Sequence, residues 1–338
     1  MRKNFMNNLI AVSIGDINGI GIQILIKAWK KKQLKNFILI TNYDLFNKYI
    51  IKKNISLKIF NSSITSKKVS FKKHSFNIIN IAASSYNENT LNSLIQSYRL
   101  VKKKLFIGLV TLPINKKKLN ILNTNFIDQT TFFTKKDGKK ISNMIFAYKN
   151  IYFVPLTTHI ELKKVSNEFK RADKYFKKIK SLNQTIIRDF GIKNPKFIMA
   201  GINPHSGENG IISQEDNILL KPIISNLRKL NIKVDGPISP DAIVNKKNLK
   251  NYDCFIFTYH DQALIPFKLI SEYSGVNFTS NLDIIRVSPD HGIAYDIIDR
   301  KQVSPYGVIN SFKLLRKISL NRIKYERTKK IFRSKFSN

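Results

Sequence analysis

The chain has 338 residues, 43% of them hydrophobic, with 59 Lys+Arg against 22 Asp+Glu, a formal net charge of +37, and one cysteine. That length exceeds a single small core and predicts two lobes, and the regular apolar runs exclude a disordered chain. A lone Cys254 in an apolar run excludes a disulfide framework, and no apolar run is long enough for a bilayer span or a secretory segment, so a soluble, cytoplasmic protein is expected.

The positive charge would attract nucleic acid or an anionic membrane. Lysine is spread through every segment, however, beside abundant Asn and Ile. Neither a zinc-finger spacing nor an aromatic-and-glycine RNA-binding signature occurs. The expectation is no specific nucleic-acid partner and no membrane, with a field that draws in phosphorylated small molecules. Charge-driven nucleic-acid binding stays as an alternative, tested by a steep salt dependence of DNA affinity.

In chain order, residues 9–14 form an apolar strand running into Gly15-Asp-Ile-Asn-Gly-Ile-Gly21, followed by a helical pattern from 22 to about 31. Strand, glycine loop and helix can aim backbone N–H groups at an anion. The same loop can equally be a tight turn that packs a helix on a sheet. Its spacing is not the dinucleotide fingerprint, so it assigns no cofactor-binding residues. Strands at 37–41, 57–60, 76–81 and 106–111 alternate with helices near 43–51 and 90–103, which predicts parallel α/β layering. Residues 66–74, with four lysines, read as a solvated loop with His74 exposed. Asn115 caps the next helix. Residues 143–148 and 151–156 form a strand pair around Lys149-Asn150. A long helix over 166–190 is closed by Gly191, and another over 215–230 ends at Asn231. From 307 onward the chain is a basic amphipathic helix, with a membrane-surface or nucleic-acid arm as its functional alternative.

Three of the five histidines end apolar runs: His159 after 151–158, His205 after 197–202, and His260 after 254–257. In open α/β sheets ligands bind at the carboxyl ends of strands. Three imidazoles so placed can share one divalent cation with positions left open for substrate; each alone reads equally as a hydrogen-bonded structural residue.

Tyr259-His-Asp-Gln262 with Lys268, Gly275-Val-Asn277, Ile285-Arg286, Asp290-His-Gly292 and Gly201-Ile-Asn-Pro-His-Ser-Gly-Glu208 resemble the 4-hydroxythreonine-4-phosphate dehydrogenases of vitamin B6 biosynthesis, over about residues 9–312. The resemblance implies an α/β, two-lobed, isocitrate/isopropylmalate dehydrogenase-like α/β/α fold with the active site in the cleft between lobes. The lobes are expected at 1–130 plus 290–338, and at 131–289. It also implies a homodimer whose metal ligands come from both subunits, NAD or NADP as hydride acceptor, and one divalent metal per site (zinc, magnesium or cobalt). The expected reaction converts 4-phosphooxy-threonine to 3-amino-2-oxopropyl phosphate and carbon dioxide.

For the site, His159, His205 and His260 are the metal ligands. Lys268 and Arg286 are cations for substrate anions, each alone reading equally as a surface cation and neither expected in the core; Lys268 is also a candidate proton shuttle, and Asn277 orients substrate. Asp241 matches an acid in a loop of the family and is a candidate catalytic group. Asp290 reads as a catalytic acid or base, a partner orienting a histidine, or a cap, and His291 as structural. Residues 126–133 match a family motif in which a His and a Thr contact substrate; Gln129 and Thr130 hold those positions here. Ile17, Ile22, Gln23 and Leu112 depart from the family as well, Leu112 at a place where close backbone approach would favour glycine. These departures keep two alternatives open: a dehydrogenase for another phosphorylated hydroxy acid such as phospho-erythronate or phospho-threonate, and a degenerate member that binds without catalysis.

Overall fold

Apolar runs bounded by Gly and Asn become short strands, five of them buried along their whole length. In the computed structural model, which describes residues 8–65, 68–122, 124–295 and 304–335, the first strands are β1 (Ile10–Ser13), β2 (Phe37–Thr41) and β3 (Ile59–Asn61). They are followed by β4 (Ile64–Thr65), β5 (Lys68–Val69), β6 (Phe76–Asn80), β7 (Leu109–Thr111), β8 (Met144–Tyr148) and β9 (Ile151–Pro155). The last are β10 (Lys196–Ala200), β11 (Lys233–Ile238), β12 (Cys254–Phe257), β13 (Val276–Thr279) and β14 (Arg286–Pro289). The helices are α1 (Ile20–Lys30), α2 (Tyr43–Lys52), α3 (Tyr86–Lys102), α4 (Lys116–Asn120), α5 (Gln129–Lys136) and α6 (Val165–Phe169). The chain continues with α7 (Ala172–Phe190), α8 (Lys221–Lys229), α9 (Lys246–Asn251), α10 (His260–Ser271) and α11 (Tyr306–Lys335). Ser66 and Lys67 of the expected lysine-rich loop, and residues 336–338 of the expected terminal helix, lie outside the described residues.

Two compact units result: Met1–Phe133 with Asp283–Ser319, and Thr134–Leu282 with Leu320–Asn338. In the first, the strand order β14-β7-β1-β2-β6-β3 is parallel throughout. Phe76 anchors its core, meeting Trp29, Phe37 and Phe46 at ring-centroid distances of 5.3, 5.6 and 5.8 Å. In the second, the order is β11-β10-β12-β9-β8-β13, parallel from β11 to β9 and antiparallel at the β9–β8 and β8–β13 pairs. Phe153 stacks there among Phe255, Phe257 and Phe267, all buried. The expected parallel α/β layering is present, and among the described residues no helix is long and apolar enough to cross a membrane.

Local departures from expectation have local causes. Helix α3 starts at Tyr86 rather than near 90, because Ser85 accepts the Glu88 N–H at 3.2 Å while the Glu88 carboxylate takes the Ser84 N–H at 2.7 Å; this is a reciprocal cap. The single helix expected over 166–190 is two, α6 and α7, since i→i−3 bonds from Lys170 and Arg171 close the first one. Gly191 ends α7 at φ 76°, as its position predicts. The turn before α8 widens to π-type over Asp216–Leu220, just ahead of Pro222, which has no N–H to give.

Asp189, near the end of α7, is fully buried and receives paired hydrogen bonds from Arg188 (2.7 and 2.9 Å) and from Arg322 of α11 (2.8 and 3.1 Å). Burial alone would push its pKa up; the hydrogen bonds and charges of Arg188 and Arg322 outweigh that and hold it below the ordinary carboxylate value. A folded-state pKa depressed below the unfolded value of about 3.9 contributes stability that is complete above that pH and is lost as pH falls through the folded pKa. Asp189→Ala is expected to cost about 3–5 kcal/mol, because it strands two guanidinium groups. The measurement is the urea midpoint at pH 7, and the gap between variant and parent should narrow below about pH 4.

Candidate active site

Because β11, β10, β12 and β9 pair in parallel, their carboxyl ends form one edge of the second unit's sheet. The loops leaving that edge carry Asp241, His205, His260 and His159 in the same order across the sheet. The His159 and His260 rings lie 5.8 Å apart, centroid to centroid. Both line a pocket of about 260 Å³ with Thr157, Tyr259 and Asp261. His260 Nδ1 lies 2.7 Å from the Asp261 carboxylate. A carboxylate only accepts there, so Nδ1 carries a proton, and in the neutral ring the lone pair is on Nε2, the form suited to a cation. His205 is exposed on its own loop. Among the described residues, no three His, Cys, Asp or Glu side chains come close enough together to hold an ion.

Backbone conformation sets these loops. His159 and His205 take φ of 55° and 50°, and the left-handed run continues through Ser206, Gly207, Glu208 and Asn209. Such φ values are uncommon for L residues outside glycine and persist only where surroundings enforce them. The loops are tied together by side chains. Gln262 donates to the Gly201 carbonyl at 2.9 Å and accepts from Thr258 N–H and Oγ1, both at 2.9 Å. Thr157 Oγ1 donates to the Thr258 carbonyl at 2.7 Å. Gln262 therefore joins the His260 turn to the His205 loop, and Thr157 joins it to the His159 segment.

Asp241 is exposed after β11. A hydrogen bond from Ser239, then backbone N–H groups and the nearby His205, hold its pKa below the ordinary range. Lys268 is half-buried on α10 with its ammonium 5.8 Å from the Tyr273 ring centroid. Asn277, on β13, has a buried side-chain oxygen with no hydrogen-bond partner; an orphaned amide oxygen of this kind marks a place for a donor from outside. Sequence reading missed Lys178, on α7, whose ammonium donates to the Leu156 carbonyl at 2.7 Å just ahead of the His159 segment. Burial, then the charge of Lys174, pushes its pKa down to about 8. One lysine among so many gives no sequence signal.

The first unit holds a separate cluster. Arg286 opens β14 and is 1% exposed, which corrects the expectation that its side chain lies outside the core. Its guanidinium is satisfied by partners distant in sequence: Thr111 Oγ1 accepts Nε at 3.0 Å and Nη2 at 2.7 Å, and Gln129 Oε1 accepts Nη2 at 2.6 Å. The Phe133 ring lies 5.6 Å from the guanidinium carbon. Burial pushes the Arg286 pKa down to about 9, with the Asp128 charge opposing, so the group stays cationic at neutral pH. Gln129 Nε2 in turn donates to the Leu112 carbonyl at 3.2 Å, and Thr130 is buried beside it.

The glycine loop is a packing turn. The amides of Asp16, Asn18, Gly19 and Ile20 are already taken by the Pro113 carbonyl, the Asp16 carboxylate, the Asp16 carbonyl and the Ile293 carbonyl. A Cβ at Gly15 would lie 2.4 Å from the Pro113 carbonyl oxygen and 2.9 Å from Leu112 Cβ. The close approach expected of a glycine at 112 is thus supplied by Gly15 from the facing loop. Asp16 also accepts from Lys118 at 3.0 Å and from Tyr295.

The family model described as pyridoxal phosphate biosynthetic protein PdxA matches residues 33–315. A 4-hydroxythreonine-4-phosphate dehydrogenase of Sulfurihydrogenibium sp. is 30% identical over 313 residues, 90% of this chain and 96% of that protein. A D-threonate 4-phosphate dehydrogenase of Salmonella typhimurium is 32% identical over 208 residues, 60% of this chain and 63% of its own length. The fold matches the crystal structure of a 4-hydroxythreonine-4-phosphate dehydrogenase from Klebsiella pneumoniae with a TM-score of 0.78 at 24% identity, covering 94% of this chain and 99% of the other.

Truncating Arg286 removes a buried charge and orphans Thr111 and Gln129. Arg286→Ala is therefore expected to lose about 2–4 kcal/mol of folding stability. Chemical denaturation of the purified variant against the parent checks this, and an unchanged midpoint would contradict the buried network.

Proposed function

We propose, since the chain belongs to the PdxA family of pyridoxal phosphate biosynthetic proteins, that it oxidises 4-phosphooxy-threonine at its secondary hydroxyl and releases the adjacent carboxyl as carbon dioxide. The observation that carries this reading is the set of histidines on adjacent parallel strand ends, with His260 already oriented by Asp261. Neutral imidazoles suit zinc or cobalt better than magnesium, which prefers an all-oxygen shell. When bound, a divalent cation polarises the hydroxyl and its neighbouring carboxylate, and NAD or NADP takes the hydride.

In this reading His159, His205 and His260 hold the cation. Arg286 binds a substrate anion, with Gln129 and Thr130 completing its hydrogen-bonding surface. Asn277 orients substrate through its orphaned oxygen. Lys268 neutralises a second anionic group or carries a proton, and Asp241, ionised beside the His205 loop, is the other candidate proton acceptor. A second copy supplies part of the metal shell. His159 and His260 are paired within one chain, and exposed apolar side chains follow each histidine: Leu162 (68%), Ile211 (83%) and Leu269 (81%). Exposed apolar side chains suit burial against another subunit. The free, buried Cys254 fits a cytoplasmic location.

Gln129 favours a second reading, a related dehydrogenase for another 4-phosphorylated hydroxy acid such as phospho-threonate. An amide there donates and accepts hydrogen bonds but carries no proton charge near pH 7. Reduced-nicotinamide absorbance with both substrates, with and without chelator, separates the readings. Gln129→His is expected to raise kcat/KM for 4-phosphooxy-threonine; identical values for the variant and parent on both substrates would place Gln129 outside the site.

Two further outcomes follow. His159→Ala, His205→Ala and His260→Ala should each strip most of the metal by elemental analysis, and double variants should lose little more activity than singles. Full occupancy in His205→Ala would remove it from the shell. Lys268→Ala should lower kcat/KM by about 30- to 1000-fold, the equivalent of about 2–4 kcal/mol of charge-assisted contact, without a change in stability.

A further inference from the structure

Two adjacent carboxylates, Glu215 and Asp216, lie outside every role given above. Asp216 is fully buried, and its carboxylate oxygens accept the Ile202 N–H at 2.7 Å, the Asn203 N–H at 3.2 Å and Asn203 Nδ2 at 3.0 Å. All three donors belong to the two residues that lead into Pro204 and His205. Glu215 accepts from the same Asn203 Nδ2 at 3.1 Å and, on its other oxygen, from the Ser166 hydroxyl. Ser166 belongs to α6, the helix entered from the His159 segment. One pair of acids therefore grips the His205 loop and also reaches the segment that follows His159.

The fit is tight. A Cβ at Gly201 would sit 2.6 Å from Asp216 Oδ1, so only glycine admits the carboxylate. Beyond Asn203 the chain runs left-handed through five residues, His205 to Asn209, four of them not glycine. Each such non-glycine residue is held against its own preference, so the entry to the run has to be fixed from outside. Asp216 does this at the amino end, while Ile212 and Ser213 N–H groups close the run onto the Gly207 carbonyl at 3.2 and 3.3 Å.

We propose that Glu215 and Asp216 are positioning residues: a carboxylate clasp that sets the His205 loop and ties it to the His159 segment, so that both imidazoles are presented in a fixed arrangement. The inference rests on the metal reading above. Partners that orient a ligand typically account for about 10- to 100-fold in metal affinity.

The test uses the full-length protein stripped of metal. Cobalt(II) is titrated against a competing chelator, with the visible absorption of the bound ion as a record of ligand geometry. Amide exchange across residues 205–209 is measured in the metal-free state. Asp216→Asn presents an amide N–H where acceptors are needed. It is expected to weaken cobalt binding about 10- to 100-fold, to alter the spectrum, and to speed exchange in the loop about tenfold or more. Ser166→Ala removes one hydroxyl from the surface and keeps the test available should the buried variant fail to fold. It should weaken cobalt binding less than Glu215→Ala, and the double variant should match Glu215→Ala, since both act through one link. Parental affinity, spectrum and exchange in Asp216→Asn and in Ser166→Ala would overturn the clasp. Failure of the parent itself to bind cobalt would instead overturn the metal reading, with exchange in the loop still reporting whether the clasp holds the backbone.

Discussion

The hydrogen bonds of Gln262 and Thr157 across the ends of β9, β12 and β10 are the contacts on which the second unit's chemistry depends. Parallel pairing brings the strand ends side by side at roughly 5 Å spacing, but it does not decide how each loop leaves the sheet. Thr258 lies in the middle strand's exit, takes Thr157 on one flank, and through Gln262 reaches Gly201 on the other. Once these bonds are made, the directions of His159, His260 and His205 are no longer independent. Glu215 and Asp216 repeat the arrangement one layer further out, with carboxylates in place of an amide.

The first unit solves a different problem, that of keeping a guanidinium charged away from water. Arg286 is closed in by Thr111 and Gln129 and lies over Phe133. Thr111 and Gln129 satisfy its N–H groups as neutral acceptors, while the Asp128 charge favours its cationic form against the cost of burial. A carboxylate at 129 would have neutralised it. The amide at 129 accepts from the guanidinium without adding a negative charge.

Much of this was legible in the residues. Uniform apolar runs such as 37–41 and 254–257 can only be buried strands, and Gly191 and Asn115 mark helix ends by their chemistry. The histidines stood out because each ended such a run. What stayed hidden depends on partners distant in sequence or on local bonds that residue patterns do not report. Arg286 looked like a surface cation because Thr111 and Gln129 are 175 and 157 residues away. The break between α6 and α7 comes from i→i−3 bonds at Lys170 and Arg171, which periodicity does not report. The glycine loop read equally as an anion cradle or a packing turn; four of its amides are taken within the protein, one of them by the carboxylate of Asp16 inside the loop itself.

The left-handed run at 205–209 also limits which residues the segment can hold. The chain is rich in Lys, Asn and Ile. Asn enters left-handed backbone more readily than other non-glycine residues, and one stands at 209. A β-branched side chain there would be a steric outlier. Isoleucine accordingly first appears at 211, where φ has returned to −65°. Backbone geometry thus sorts the chain's common residues by position: asparagine fits the left-handed segment at 209, and isoleucine stands only where φ is negative again.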